Sequence, residues 1–164
     1  EETMLPYIGQ FQSLFLLRSF TKMYGIPGLR LGYGLCSDTD LLERMEEVRQ
    51  PWSVSIPAQE AGITALDETD WCRQVRSYVT EQRMWLAGEL ESMGCKVYPS
   101  SANYLLFYLD QELMESLKRK GILIRDCSNY QGLTKGYYRI AVKTEEENRQ
   151  LIDAIRDALD KADL

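Results

Sequence analysis

A turn-rich stretch between two apolar runs sets the terms for the first part of this chain. Residues 14–17 read as a strand, the next residues are Ser19-Phe-Thr-Lys-Met-Tyr-Gly-Ile-Pro-Gly-Leu-Arg30, and a second strand-like run covers residues 30–36. Gly25, Pro27 and Gly28 allow the backbone to turn tightly between the runs. Lys22 and Arg30, eight residues apart, are thereby displayed from irregular backbone, where reactive groups concentrate. A lysine amine can condense with an aldehyde, which neither an arginine nor a serine hydroxyl can do, so Lys22 is the candidate nucleophile. A planar guanidinium suits a phosphate dianion, and hydroxyls add further hydrogen bonds to it. An isolated lysine and arginine beside a turn also read as two solvated charges.

The rest of the chain alternates helix and strand signals. Residues 1–10, with Pro6 and Gly9 as breakers, read as a helix tail or loop. Ser37 or Asp38 caps a helix whose apolar positions are Leu41, Leu42, Met45 and Val48, and Pro51 ends it. Ser55 and Pro57 open a helix to about Asp67. A longer one starts near Thr69, carries Trp71, Val75, Tyr78, Trp85, Leu86 and Leu90, and stops at Gly94. Strands are predicted over residues 96–98, 103–109, 122–124 and 137–142. Asp110 is expected to cap a short helix with Leu113, Met114 and Leu117, whose Lys118-Arg-Lys120 end suits the negative pole of the helix and which Gly121 closes. Thr144 and Glu147 form a capping box for a last helix with the stripe Leu151, Ile152, Ile155 and Leu159.

Composition narrows the function. A net charge of −6 argues against nonspecific nucleic-acid or anionic-membrane binding. No apolar run approaches a membrane span and no leader opens the chain, so a cytoplasmic location is expected. The 164 residues, 45% apolar, suffice for one sizeable domain or one plus part of another. Histidine is absent, which removes Ser-His and Cys-His nucleophile pairs and the usual zinc sites. The four cysteines, at 36, 72, 95 and 127, are dispersed and read as buried thiols, not as a disulfide framework or metal site. The glycines between 25 and 34 lack the spacing of a nucleotide-binding loop.

The stretch from Ser19 to Arg30 resembles the cofactor-lysine motif of the fold type I pyridoxal-phosphate enzymes, the class I/II aminotransferase family: a hydroxyl residue three before the lysine, Thr immediately before it, and Gly-Leu-Arg ending eight after it. The resemblance implies an α/β fold. Residues 1–70 would be the end of the large cofactor domain, and residues 71–164 a linker helix and a small C-terminal α/β domain with a mainly antiparallel sheet. It implies that Lys22 binds pyridoxal 5′-phosphate and that Ser19, Thr21 and Arg30 hold its phosphate. Arg139, in Tyr137-Tyr-Arg-Ile-Ala-Val142, is similar to the family's arginine for the substrate carboxylate. Arg125 is similar to a further anion-binding arginine of the members that act on phosphorylated substrates. Beside Asp126 it reads equally as a surface arginine.

The phrase Ile124-Arg-Asp-Cys-Ser-Asn-Tyr-Gln-Gly-Leu133, with Arg18-Ser-Phe-Thr-Lys22, looks closest to the threonine-phosphate decarboxylase branch of the family. That branch makes aminopropanol phosphate for cobalamin biosynthesis. The histidinol-phosphate aminotransferase branch stands next to it, and both would use the same residues. Only 21 residues precede Lys22, so the family's upstream elements have no counterpart: a phosphate loop, an Asn and a Tyr at the cofactor's ring oxygen, and an Asp at the pyridine nitrogen. The chain thus resembles a C-terminal fragment, expected to hold the cofactor weakly and to be inactive by itself, from an enzyme that is a homodimer acting on a small phosphorylated amino acid. A non-catalytic dimerisation or binding module remains the reading from another class, because residues 15–17 and 31–35 would lack sheet neighbours.

Overall fold

The computed structural model describes residues 3–160; Glu1 and Glu2, at the start of the expected helix tail or loop, lie outside the described residues. The chain divides into two compact units, the first running to Arg73 and the second starting at Gln74.

In the first unit, a single turn of 3-10 helix, Leu5–Tyr7, precedes a two-stranded antiparallel ladder of β1 (Phe15–Ser19) and β2 (Gly32–Cys36). The register runs from Phe15 opposite Cys36 to Ser19 opposite Gly32. Two expectations change here. Leu17, expected in a buried strand, is 80% exposed; its cross-strand partner is Gly34, which has no side chain to cover it. The second strand starts at Gly32, not at Arg30, because a 3-10 turn over Pro27–Leu29 leaves Arg30 in the left-handed region at φ 52° and ψ 46°, which no strand accommodates.

Two helices follow the ladder. α1 (Thr39–Val48) is capped by Asp38, whose Oδ1 accepts from Leu41 N at 2.9 Å. Its expected apolar face is not a core face: Leu42 and Met45 are exposed and Val48 is 83% exposed. α2 (Ile56–Asp67) is capped by Ser55 Oγ and buries Ala58, Gly62 and Ala65. A Cβ on Gly62 would come within 2.5 Å of Leu31 Cδ2. Glycine at that position lets α2 press against the residue that leads into β2.

α3 (Thr69–Ser92) ends where Gly94, at φ +82°, lets Cys95 N bond back to Leu90 O. The second unit then builds a four-stranded antiparallel sheet in the order β3 (Lys96–Val97), β4 (Tyr104–Tyr108), β6 (Tyr137–Ala141) and β5 (Arg125–Asp126). Alternation divides its faces. Leu105, Phe107, Tyr138 and Ile140 point into a core shared with Leu86 and Leu90 of α3, Leu117 of α4 (Met114–Arg119), and Leu151, Ile152 and Ile155 of α5 (Glu145–Asp160).

Two details of the second unit depart from expectation, and so do two cysteines of the first. Asp110 does not cap α4; the helix begins at Met114, whose N–H is taken by Glu112 Oε1 at 2.8 Å. Residues 122–124 are not a strand, because Ile122 N bonds back to Leu117 O at the helix end, and pairing starts only at Arg125. All four cysteines are free, but Cys36 and Cys72 are only half-buried. The capping box of α5 forms as expected: Glu147 N donates to Thr144 Oγ1 at 3.3 Å, and Thr144 N to Glu147 Oε2 at 3.4 Å. Among the described residues no helix is long and apolar enough to cross a membrane.

Candidate active site

The first unit displays Lys22 from a closed loop. Phe20 N donates to Leu31 O at 3.2 Å, tying the base of the loop together one residue beyond the β1–β2 ladder. The Phe20 ring is buried, stacked on Tyr24 at 5.1 Å between centroids and tilted against Tyr33 at 5.8 Å. That small aromatic cluster fixes the backbone on either side of Lys22. Tyr24 N then donates to Phe20 O and Gly25 N to Lys22 O, with Gly25 at φ +65°, so Lys22 lies in a turn with an exposed side chain.

Ser19, at the end of β1, and Thr21 are joined by two hydrogen bonds. Ser19 Oγ accepts from Thr21 N at 3.2 Å and donates to Thr21 Oγ1 at 3.0 Å. Arg30 is held at the same end of the hairpin as Ser19, two residues before Gly32, and its Nη1 donates to Pro27 O at 3.1 Å. Among the described residues no hydrogen bond from the other donors of the fork is seen. Gly32 is required for this approach, since a Cβ there would lie 2.8 Å from Arg18 O. Among the described residues neither Lys22 nor Arg30 is in a salt bridge.

This donor set fits a phosphorylated aldehyde such as pyridoxal phosphate. A phosphate dianion only accepts hydrogen bonds; Arg30 brings a guanidinium and Thr21 a hydroxyl proton, the Ser19 hydroxyl would have to turn from Thr21 to donate as well, and no carboxylate is among them. The exposed amine of Lys22 is the group that can condense with the aldehyde. A cleft of about 430 Å³, lined by Tyr24, Ile26, Ala61, Thr64, Ala65, Glu68 and Trp71, also opens in this unit. Sequence periodicity gave no sign of it.

The second unit carries the other two predicted site residues, and it pairs them. Arg125 on β5 and Arg139 on β6 are directly opposed in the antiparallel register, so both guanidiniums leave the same face of the sheet. That face is the one away from Phe107, Tyr138 and Ile140. Neither arginine is in a salt bridge among the described residues. Asp126, the acid next to Arg125, turns to Ser128 instead, accepting from its N–H at 2.8 Å and its hydroxyl at 3.0 Å. Those bonds, and then the charges of Arg125 and Lys135, hold the Asp126 carboxyl below the usual carboxylate range. Burial pushes the neighbouring Cys127 thiol up, although Arg139 and Arg125 pull it down.

Two residues of this face were missed from the sequence. The Arg139 guanidinium lies over the Tyr104 ring at 5.0 Å, and that of Arg125 over the Tyr130 ring at 5.6 Å. Strand parity places Tyr104 on the Arg139 face once β4 and β6 are paired as Leu106 opposite Arg139. The pairing itself is not written in either segment.

Residues 4–155 match the model of the family described as aminotransferase class I and II. A histidinol-phosphate aminotransferase of Archaeoglobus fulgidus is 36% identical over 159 residues, covering 96% of this chain and 46% of that protein. A threonine-phosphate decarboxylase of Salmonella typhimurium is 37% identical over 163 residues, covering 97% of this chain and 45% of that protein. Among solved structures, the histidinol-phosphate aminotransferase of Clostridium acetobutylicum superposes with a TM-score of 0.92 at 27% identity, over 97% of this chain and 49% of that one. The chain thus spans about half the length of the curated relatives it matches.

Proposed function

Because the chain belongs to the aminotransferase class I and II family, whose enzymes depend on pyridoxal phosphate, we propose that it supplies the cofactor lysine and the substrate-anion arginines of an enzyme that decarboxylates L-threonine O-3-phosphate to aminopropanol phosphate. Lys22 is the cofactor-binding amine. Ser19, Thr21 and Arg30 hold the cofactor phosphate, and Arg139 and Arg125 grip the substrate's anionic groups. We take the whole enzyme to be a cytoplasmic homodimer, as the resemblance implies.

The cross-strand arginine pair carries the substrate reading. Two guanidiniums on adjacent strands suit one small molecule bearing two anions, and threonine phosphate has both a carboxylate and a phosphate. Histidinol phosphate has the phosphate and no carboxylate. The relatives support either reaction to a similar degree, at 37% and 36% identity. Histidinol-phosphate transamination is therefore the second reading, in which the pair would take the phosphate and, in the other half-reaction, a dicarboxylate.

Bound pyridoxal phosphate supplies an electron sink for a carbanion at the substrate's α carbon. The protein's own part is orientation and proton handling. Arg139 would grip the substrate carboxylate and Arg125 its phosphate, so that the two ends of the molecule would be held at once and its orientation limited. Lys22 would hold the cofactor, and its Nζ amine is the group on this chain that would carry a proton to or from the substrate's α carbon. Product analysis of the whole enzyme supplied with L-threonine O-3-phosphate tests the proposal. Release of carbon dioxide with aminopropanol phosphate is expected; formation of a keto acid instead overturns decarboxylation and leaves the transamination reading.

A further inference from the structure

The unusual feature of the arginine pair is that, among the described residues, neither guanidinium is in a salt bridge; Arg125 acts on Asp126 only through its charge. Two like charges directly opposed across a ladder repel each other, and a sheet ordinarily relieves this by pairing each with a carboxylate. Here the one adjacent acid, Asp126, is engaged by Ser128. Its cross-strand partner is Tyr138, which places its Cβ on the opposite face from Arg125 and Arg139. What each guanidinium meets is an aromatic face, Tyr104 for Arg139 and Tyr130 for Arg125. The two rings are held independently. Tyr104 is the first residue of β4, paired with Ala141, and Tyr130 closes a turn in which its N–H donates to Cys127 O at 3.0 Å.

We propose that Tyr104 and Tyr130 are positioning residues for the anion site, holding the guanidiniums of Arg139 and Arg125 in a set orientation while leaving their hydrogen-bonding edges free. The inference rests on the anion-binding reading of the two arginines given above. The physical reason lies in where each kind of partner binds. A carboxylate occupies the in-plane N–H fork, the same edge that a substrate carboxylate or phosphate needs. A ring is no carboxylate and fills no bidentate site on the fork, and its quadrupole attracts the cation that lies over it, which offsets part of the cost of holding two cations side by side. Tyrosines therefore order these side chains without competing for their donors, and the long arginine side chains lose less rotamer freedom when the anion arrives.

The test uses the chain itself, with O-phospho-L-threonine as the probe, calorimetry for affinity and NMR of the arginine Nε–Hε groups for position. In the wild type the Hε signals of Arg125 and Arg139 are expected upfield, shifted by the rings, relative to the exposed Arg73. Tyr104→Leu removes the shift of Arg139 and Tyr130→Leu that of Arg125, and each weakens probe binding by about two- to thirty-fold, the range one cation–π contact supplies. Tyr104→Phe and Tyr130→Phe, which keep the ring, retain both shift and affinity. Wild-type arginine signals coincident with those of Arg73 overturn the proposal without any variant. Leu variants that bind the probe as tightly as the wild type, where Arg139→Gln does not bind it, overturn the positioning role and leave the anion site standing. Undiminished binding by Arg139→Gln overturns the anion-site reading, and this inference with it.

Discussion

At the scale of single residues, close backbone approach decides where the reactive groups sit. Gly32 faces Ser19 across the ladder, and the space beside it is filled by a main-chain oxygen, Arg18 O, 2.8 Å from where a Cβ would stand. A carbonyl within a ladder cannot swing aside as a flexible side chain could. Gly32→Ala is therefore expected to destabilise the first unit by about 1–3 kcal/mol, seen as a lower urea midpoint, whereas Gly9→Ala, with nothing within 4 Å, leaves it unchanged. Equal midpoints for the two variants would contradict this account of the hairpin. Lys22, Arg30, Ser19 and Thr21 could be named together because the motif they resemble is local in sequence, and the structure joins Ser19 to Thr21 by hydrogen bonds and sets Arg30 at the same end of the hairpin. The left-handed backbone of Arg30 was not legible, since it follows from the 3-10 turn over Pro27–Leu29 that precedes it.

At the scale of elements, the expected N-terminal caps were readable except for Asp110, which does not cap α4. Asp38, Ser55 and the Thr144–Glu147 box all form where short polar residues precede apolar periodicity. The box also has a pH signature. Bonds from Lys143 and then from Thr144 hold the Glu147 carboxyl below its ordinary range. A folded-state pKa lower than the unfolded one means that the contribution is fully present above the unfolded value, about 4.3, and is lost as pH falls through the lower folded value. The stability gap between wild type and Glu147→Gln should thus narrow as urea melts are repeated from about pH 7 down to about pH 3. A gap that widens on acidification would contradict the assignment. Tertiary pairing, in contrast, was out of reach. Asn148 Nδ2 donates to Gln82 Oε1 at 2.9 Å inside the core, and the two residues, 66 apart, show no mutual signal in sequence. The strand expected over residues 122–124 failed for a similar reason: the end of α4 claims Ile122 N.

At the scale of the whole chain, periodicity names an apolar face but not what covers it. Leu42, Met45 and Val48 of α1, with Leu17 of β1 and the 96% exposed Trp52, put several large apolar side chains of the first unit in water, where among the described residues its buried hydrophobic side chains are Phe20, Ala58 and Ala65. Such surface drives association. Sedimentation velocity is expected to show self-association that grows with concentration and weakens in Val48→Glu; a monomer at all concentrations would count against it. The second unit packs its apolar residues of β4 and β6 against α3, α4 and α5 in one core. The central claim is that the Ser19 to Arg30 loop is a cofactor cradle with Lys22 as its amine. Incubating the chain with pyridoxal phosphate, reducing with borohydride and mapping the modified lysines by mass spectrometry tests it most directly. The account predicts modification concentrated on Lys22, lost in Lys22→Ala and reduced in Arg30→Gln. Modification spread evenly over Lys96, Lys118, Lys135 and the other lysines, and unchanged by either substitution, would contradict it.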